Sequence, residues 1–295
     1  RYFLRFMQDS PFLGTLSCVR STPYNQYESI ILPILNWLTK QGVRFEMNSQ
    51  VINLDFKQDD ARMAVERIHY VRGGEEREIT IDKNDYVFAN LGSITAASAT
   101  GSSKSAPQLE SAKLSSAWIF WENIAKKHPE FGDPSVFNSH QNESTWESFT
   151  ATFQNPMFFK LVKKITGNQA GSGGYITLKN SNWLLSIVLP RQPHFINQPD
   201  NAYVCWGYGL FSDKKGNYIT KKMSECAGEE ILIELCQHLG FKKEMPLILK
   251  TSNCIPCLMP YITSQFLPRK KGDRPSVAPE RLSNMAFIGQ FCEIP

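Results

Sequence analysis

Residues 85–95 read Asp85-Tyr86-Val87-Phe88-Ala89-Asn90-Leu91-Gly92-Ser93-Ile94-Thr95. The short apolar run Asp85–Ala89 predicts a strand buried on both faces. It stops in small residues that let a backbone come close to a ligand, and in open α/β sheets ligands sit at the carboxyl ends of strands. Upstream, Tyr27, Ile30, Ile31, Ile34, Leu35 and Leu38 recur at three- and four-residue spacing, which predicts a helix over Tyr24–Lys40 with one apolar face. Thr22 suits its cap, Pro23 its first position and Gly42 its close, and Pro33 predicts a kink. Between helix and final strand, Val43–Met47 and Val51–Phe56 read as strands, with Ile52, Leu54 and Phe56 alternating with polar residues. Two further strands flank Gly73-Gly74. Helix, β-meander and buried strand together predict an α/β fold, part of a doubly wound sheet.

Outward from this stretch, Ser98–Ser116 is rich in Ser, Ala and Gly and reads as a linker. Trp118–Lys127 reads as helix, Trp146–Ile165 as one or two helices broken near Asn155-Pro156, and Gly167–Gly174 as a loop. Tyr175–Leu178, Trp183–Leu189 and Val204–Tyr208 read as strands, Ile219–Leu239 as a helix weakened by Gly228. Ile248–Leu267 reads as extended chain, Arg269–Arg281 as a basic loop and Asn284–Gly289 as a return to the buried sheet. The predicted organisation is a cofactor-binding part over 1–100, an inserted mixed α+β substrate-binding domain over 101–283, and a return strand over 284–295. This order of elements is that of two-domain flavoproteins.

The chain has 295 residues, 42% of them apolar, enough for one large or two ordinary domains. A net charge of +4 is too mild to argue for nucleic acid. No apolar run approaches the ~20 residues that span a bilayer. Seven cysteines, odd in number and scattered, argue against a disulfide framework and for a reducing, cytoplasmic setting. No Gly-x-Gly-x-x-Gly opens a helix here. With an opening already helical at Arg1-Tyr2-Phe3-Leu4-Arg5-Phe6, and an end directly after an apolar strand, the expectation is a fragment whose phosphate loop lies upstream. If the protein binds a dinucleotide, such a fragment should not hold it stably on its own.

Gly171-Ser172-Gly173-Gly174 follows a helix and precedes a strand, the reverse of the order that aims amides at an anion, and reads as a plain loop. Cys254-Ile255-Pro256-Cys257 lacks partner ligands for zinc and reads as two structural cysteines; no metal is expected. Arg191-Gln192-Pro193-His194 groups a guanidinium, an amide and an imidazole after an apolar run, which suits a carboxylate head group, although a hydrogen-bonded loop histidine is the plainer alternative. Tyr2 stands between Arg1 and Arg5, and a nearby guanidinium would tune a phenol for proton transfer; packing is the plainer reading.

Six segments in order along the chain resemble the oleate hydratase (myosin-cross-reactive antigen) family: Pro23–Ser29, Gly92–Thr95, Arg191–Phe195, Met259–Ser264, Lys271–Pro275 and Ala286–Phe291. The resemblance implies an FAD-dependent hydratase that adds water to the cis-9 double bond of oleic and related unsaturated fatty acids, giving 10-hydroxy fatty acids. It implies Tyr2 as the acid that protonates the alkene and His194, with Gln192, at the substrate carboxylate. Val51, Gly92 and Ser93 would lie near the dinucleotide, and Gly289 and Gln290 near the flavin ring. The water-activating glutamate would lie upstream of Arg1. A homodimer and peripheral membrane contact through a region beyond this chain are also implied. Val188 and Pro190 stand where the family often has Thr and Asn, and Leu91 where it often has Asn. The rival reading is a flavin oxidoreductase of the amine-oxidase-like fold, since a shared fold does not fix chemistry.

Overall fold

The computed structural model describes residues 2–12, 21–59, 62–109 and 116–293. In chain order the elements are α1 (Tyr2–Asp9), a π-turn (Tyr27–Ile31) running into α2 (Leu32–Lys40), β1 (Ser49–Asp59), β2 (Arg62–Arg72), β3 (Glu75–Thr80), β4 (Val87–Asn90) and β5 (Ala99–Thr100). They continue with α3 (Ser116–Lys127), α4 (Ser135–Asn138), α5 (Gln141–Ser144), β6 (Trp146–Phe153), α6 (Met157–Thr166), β7 (Ile176–Thr177), β8 (Ser186–Val188) and β9 (Tyr203–Gly209). The last are α7 (Gly228–Leu239), α8 (Met245–Lys250), β10 (Ser252–Met259) and β11 (Met285–Ile288). The fold is mixed α/β with three sheets among the described residues. The chain forms two compact units, each built from three separate segments: Arg1–Arg44, Ala99–Gln108 and Trp146–Leu258 in the first, Phe45–Ser98, Leu109–Thr145 and Met259–Pro295 in the second.

The first unit centres on a six-stranded sheet ordered β5-β10-β6-β9-β8-β7. Trp146–Phe153, expected as helix, is strand β6. Glu147, Phe149, Ala151 and Phe153 alternate onto one buried face, and the β-branched and aromatic composition fits a pleated surface better than a helix. Only α6 forms after Pro156, and Gly167 closes it in the left-handed conformation. Part of the expected linker is β5, which pairs with β10 through Cys257↔Thr100 and Leu258↔Ala99. α7 starts at Gly228, later than expected. That glycine is no weak interior point: a Cβ there would lie 1.9 Å from the Cys254 carbonyl oxygen, so it lets the helix start press against β10. Phe149, Phe153, Phe158, Trp183, Ile231 and Leu235 form its buried core.

The helix before the meander starts at Gln26 rather than Tyr24. Asn25, not Thr22, receives the free amide, with Glu28 N donating to Asn25 Oδ1 at 3.0 Å. Pro33 has no N–H to return to the preceding turn. The chain widens there into the π-turn Tyr27–Ile31, which is the form the expected kink takes. The predicted apolar face exists but lies open. Tyr27, Ile31, Ile34 and Trp37 are each half or more exposed, and no residue of the π-turn or α2 is buried.

The second unit holds the meander β1-β2-β3, antiparallel throughout, and a separate parallel pair of β4 and β11. Val43–Met47 is not a strand; a positive φ at Asn48 turns the chain into β1. Leu54 and Val65 face inward, while β3, rich in Glu and Arg, is exposed along its whole length, as suits a charged edge. α3 lies along β1, and Asn123 Nδ2 donates to the Ile52 carbonyl at 2.9 Å. β4 is buried on one face rather than two: Val87 and Ala89 are covered, Phe88 is 67% exposed. β11 pairs with it in parallel, Met285↔Val87 to Ile288↔Asn90, and Phe287 is fully buried beneath.

Candidate functional site

In the second unit β4 and β11 end side by side, because their parallel register sets Ile288 against Asn90. The two expected cofactor segments, Gly92-Ser93 and Gly289-Gln290, therefore leave neighbouring strand ends and form one corner. Both glycines have positive φ, +61° and +97°, which L side chains adopt only with strain. Their close neighbours are the protein's own side chains. A Cβ on Gly92 would meet the Phe291 ring at 2.8 Å and the Trp118 ring at 2.9 Å, and one on Gly289 would meet Asn90 Oδ1 at 2.1 Å. Gly92 is buried by these rings, whereas Gly289 and Gln290 are exposed. The Ser93 hydroxyl lies 3.3 Å from that of Thr95. Below the corner is a hollow of about 220 Å³ lined by Val51, Leu54, Ile68, Val87, Asn90 and Phe120 among others. Its lining side chains are apolar apart from the Asn90 amide. Val51 reaches it because a bulge between Val51 and Asn53 turns β1. All five expected cofactor residues thus belong to this corner and hollow or border them.

In the first unit two further segments clasp each other. Asn25 donates its backbone N–H (2.8 Å) and its side-chain amide (3.2 Å) to the His194 carbonyl, and Ile196 N donates to Glu28 Oε2 at 2.9 Å. The start of the π-turn and the loop after β8 are locked together, a pairing that spacing along the chain does not reveal. The His194 N–H is taken by Gln198 Oε1 at 2.7 Å, while its ring, half-buried, packs edge-on against Phe195 and makes no hydrogen bond among the described residues. Burial pulls the imidazole below the usual histidine pKa, with Glu28 opposing. It is a neutral group ready to donate or accept. The Gln192 amide is fully occupied: Nε2 donates to the carbonyls of Pro190 and Val204, both at 2.9 Å, and Oε1 accepts from Val204 N at 3.0 Å and from Gln198 at 2.8 Å. It braces the loop that presents His194. Tyr2 opens α1, and its side chain lies outside the described residues.

The other candidates stay structural. Gly171 packs on Arg191, and Gln169 and Ser172 close a tight turn, so the glycine-rich segment is a loop. Cys254 and Cys257 are free thiols on β10, and no metal-ligand cluster exists among the described residues. No helix among them is long and apolar enough to cross a membrane.

The family model for the MCRA family matches residues 1–295, the whole chain. The chain belongs to the MCRA family. It is 36% identical over 304 residues to oleate hydratase of Streptococcus pyogenes serotype M49 (strain NZ131), covering 100% of this chain and 51% of that protein. It is 32% identical over 316 residues to linoleate hydratase of Lactiplantibacillus plantarum, covering 100% of this chain and 55% of that protein. The chain spans about half the length of these curated relatives. Two of the expected MCRA segments form the corner at β4 and β11, and two others, Pro23–Ser29 and Arg191–Phe195, form the clasp around His194.

Proposed function

We propose that the protein is an FAD-dependent fatty acid hydratase that adds water across the cis-9 double bond of oleic and related acids, giving 10-hydroxy fatty acids. The observation that carries this reading is the match of the whole chain to hydratases named for oleate and for linoleate. The local geometry supports it. The corner fits a dinucleotide: two left-handed glycines at adjacent strand ends, one of them open, beside an apolar hollow suited to a flat heteroaromatic ring. β4 and β11 would be part of a larger doubly wound sheet, since a parallel pair leaving Phe88 and Ile288 bare has lipophilic surface that parallel sheets normally cover. Gly92, Ser93, Gly289, Gln290 and Val51 would hold the FAD. The bound flavin would supply a planar wall and local charge rather than act as an oxidant.

His194 would receive the substrate carboxylate as a hydrogen-bond donor on a loop braced by Gln192. Tyr2 would give its phenolic proton to one alkene carbon; the O–H bond breaks as the new C–H bond forms. Water would then bond to the other carbon and lose a proton to a base. Since an alkene is a poor base, the donor must be held close in a dry site. General-acid transfer of this kind contributes about 10²–10⁴-fold in rate. Tyr2→Phe in the protein at its full natural length should therefore reduce 10-hydroxystearate formation by about that factor, read by mass spectrometry; unchanged turnover would clear Tyr2 of the role. Incubation with oleate without oxygen should give a mass gain of one water and no change in flavin redox state. Flavin bleaching, or peroxide formation once air is admitted, would instead support an oxidoreductase.

A further inference from the structure

The corner at Gly92 and Gly289 is held from behind. Phe291, two residues after Gly289, is 1% exposed, and its ring occupies the space that any side chain at position 92 would need. It joins the end of one parallel strand to the end of the other. The ring touches Trp118 at 4.9 Å and Phe137 at 5.3 Å between centroids. Over both Phe137 and Phe291 lies the guanidinium of Arg274, its central carbon 5.2 Å and 5.7 Å from the two ring centres.

Arg274 is half-buried, whereas the other described arginines of this unit are exposed. It forms no ion pair among the described residues; Glu293, the acid that acts on it through space, is itself paired with Arg269 at 3.2 Å. It donates one Nη2 hydrogen bond to the Gln265 carbonyl, and its Nε is buried with no partner. Desolvation first, then Arg269, pull its pKa below the usual guanidinium value. A cation held out of water by aromatic faces and a carbonyl, without a carboxylate, gives up solvation that a surface residue would keep. Its neighbours on both sides are fixed as well: a Cβ at Gly132 would lie 2.4 Å from the Asp273 carbonyl oxygen, and Glu293 N donates to the Pro275 carbonyl at 2.7 Å.

We propose that Arg274 is a positioning residue for the cofactor: stacked on Phe291 and Phe137, it fixes the ring that sets the Gly92–Gly289 corner and places a positive charge behind it, favouring an anionic cofactor such as FAD. This rests on the reading of that corner as the FAD site. A lysine at this position would keep the charge but lose the planar stack, so it restores only part of the effect.

The test uses the protein at its full natural length, stripped of flavin, with Arg274→Met and Arg274→Lys beside the wild type. FAD is titrated by fluorescence, and the absorbance of the bound flavin is recorded, well below the melting temperature of each apoprotein. The expected result is a Kd for FAD raised at least tenfold in Arg274→Met, a shifted flavin band, and intermediate values in Arg274→Lys. A purely structural role would lower the apoprotein melting temperature and leave both readouts as in the wild type; affinity within twofold and an unchanged band overturn the proposal. If Arg274→Met does not fold, wild-type affinity and band in Arg274→Lys overturn it. A wild type that binds no FAD overturns the reading of the corner, and this inference with it.

Discussion

The carboxyl group of Glu147 projects from β6 into the apolar core of the first unit, with neither oxygen hydrogen-bonded among the described residues. Burial pushes its pKa from the ordinary carboxylate value up to about 9. The folded state therefore keeps a proton that the unfolded chain releases. Its contribution to stability is greatest below the unfolded carboxylate pKa, falls as pH rises through the window, and levels off above about 9. Glu147→Gln cannot ionise. Thermal melts between pH 5 and 9 should show the wild type losing stability relative to Glu147→Gln as pH rises, the gap reaching on the order of 4–5 kcal/mol by pH 8, at about 1.4 kcal/mol per pH unit. A parallel pH dependence in the two would mean that this carboxyl is not the one titrating. His194 shifts the other way: its folded pKa is lowered, so its contribution to stability rises with pH. If its ring donates to the substrate carboxylate, His194→Ala should raise KM for oleate roughly 10- to 100-fold, the worth of a hydrogen bond to a charged group, and change kcat much less.

At the scale of elements, the corner makes an ordered prediction. Gly289→Ala suffers a strained φ, but the clash is with the end of the exposed Asn90 side chain, which can move; a loss of about 1–2 kcal/mol is expected. Gly92→Ala adds overpacking against two buried rings, a further ~1–3 kcal/mol. Denaturant melts should rank Gly92→Ala clearly below Gly289→Ala, and Asn90→Ala should relieve part of the second only. The meander, α3 and the return strand were legible because each has a clean period or turn. β6 reads as helix when its opening Trp146-Glu147-Ser148, which does not alternate, is joined to the helical stretch after Pro156, although Phe149-Thr150-Ala151-Thr152-Phe153 carries the strand period. The late start of α7 was hidden because Gly228 answers to β10, a contact with no local signature. In the candidate site, the glycines and His194 are singled out by their motifs. The bracing by Gln192, the Asn25 clasp and the stack of Arg274 on Phe291 join residues distant in sequence and become visible only in three dimensions.

At the scale of the molecule, the open apolar face of the π-turn and α2 is a liability for the 295-residue chain studied by itself. Such a sample should bind an apolar fluorescent dye, and the pair Ile34→Glu and Trp37→Glu should reduce that signal without lowering the melting temperature, since neither side chain is buried. Equal dye binding in the variant would place the exposed surface elsewhere. The pairing of β4 with β11 has a temporal consequence. A ribosome delivers β4 early and β11 near the end of this stretch, so at roughly 5–20 residues per second the first strand waits on the order of ten seconds for its neighbour. During that interval the nascent polypeptide carries an unmated, greasy ribbon, and chaperone capture during synthesis is the natural place for its biogenesis to succeed or fail.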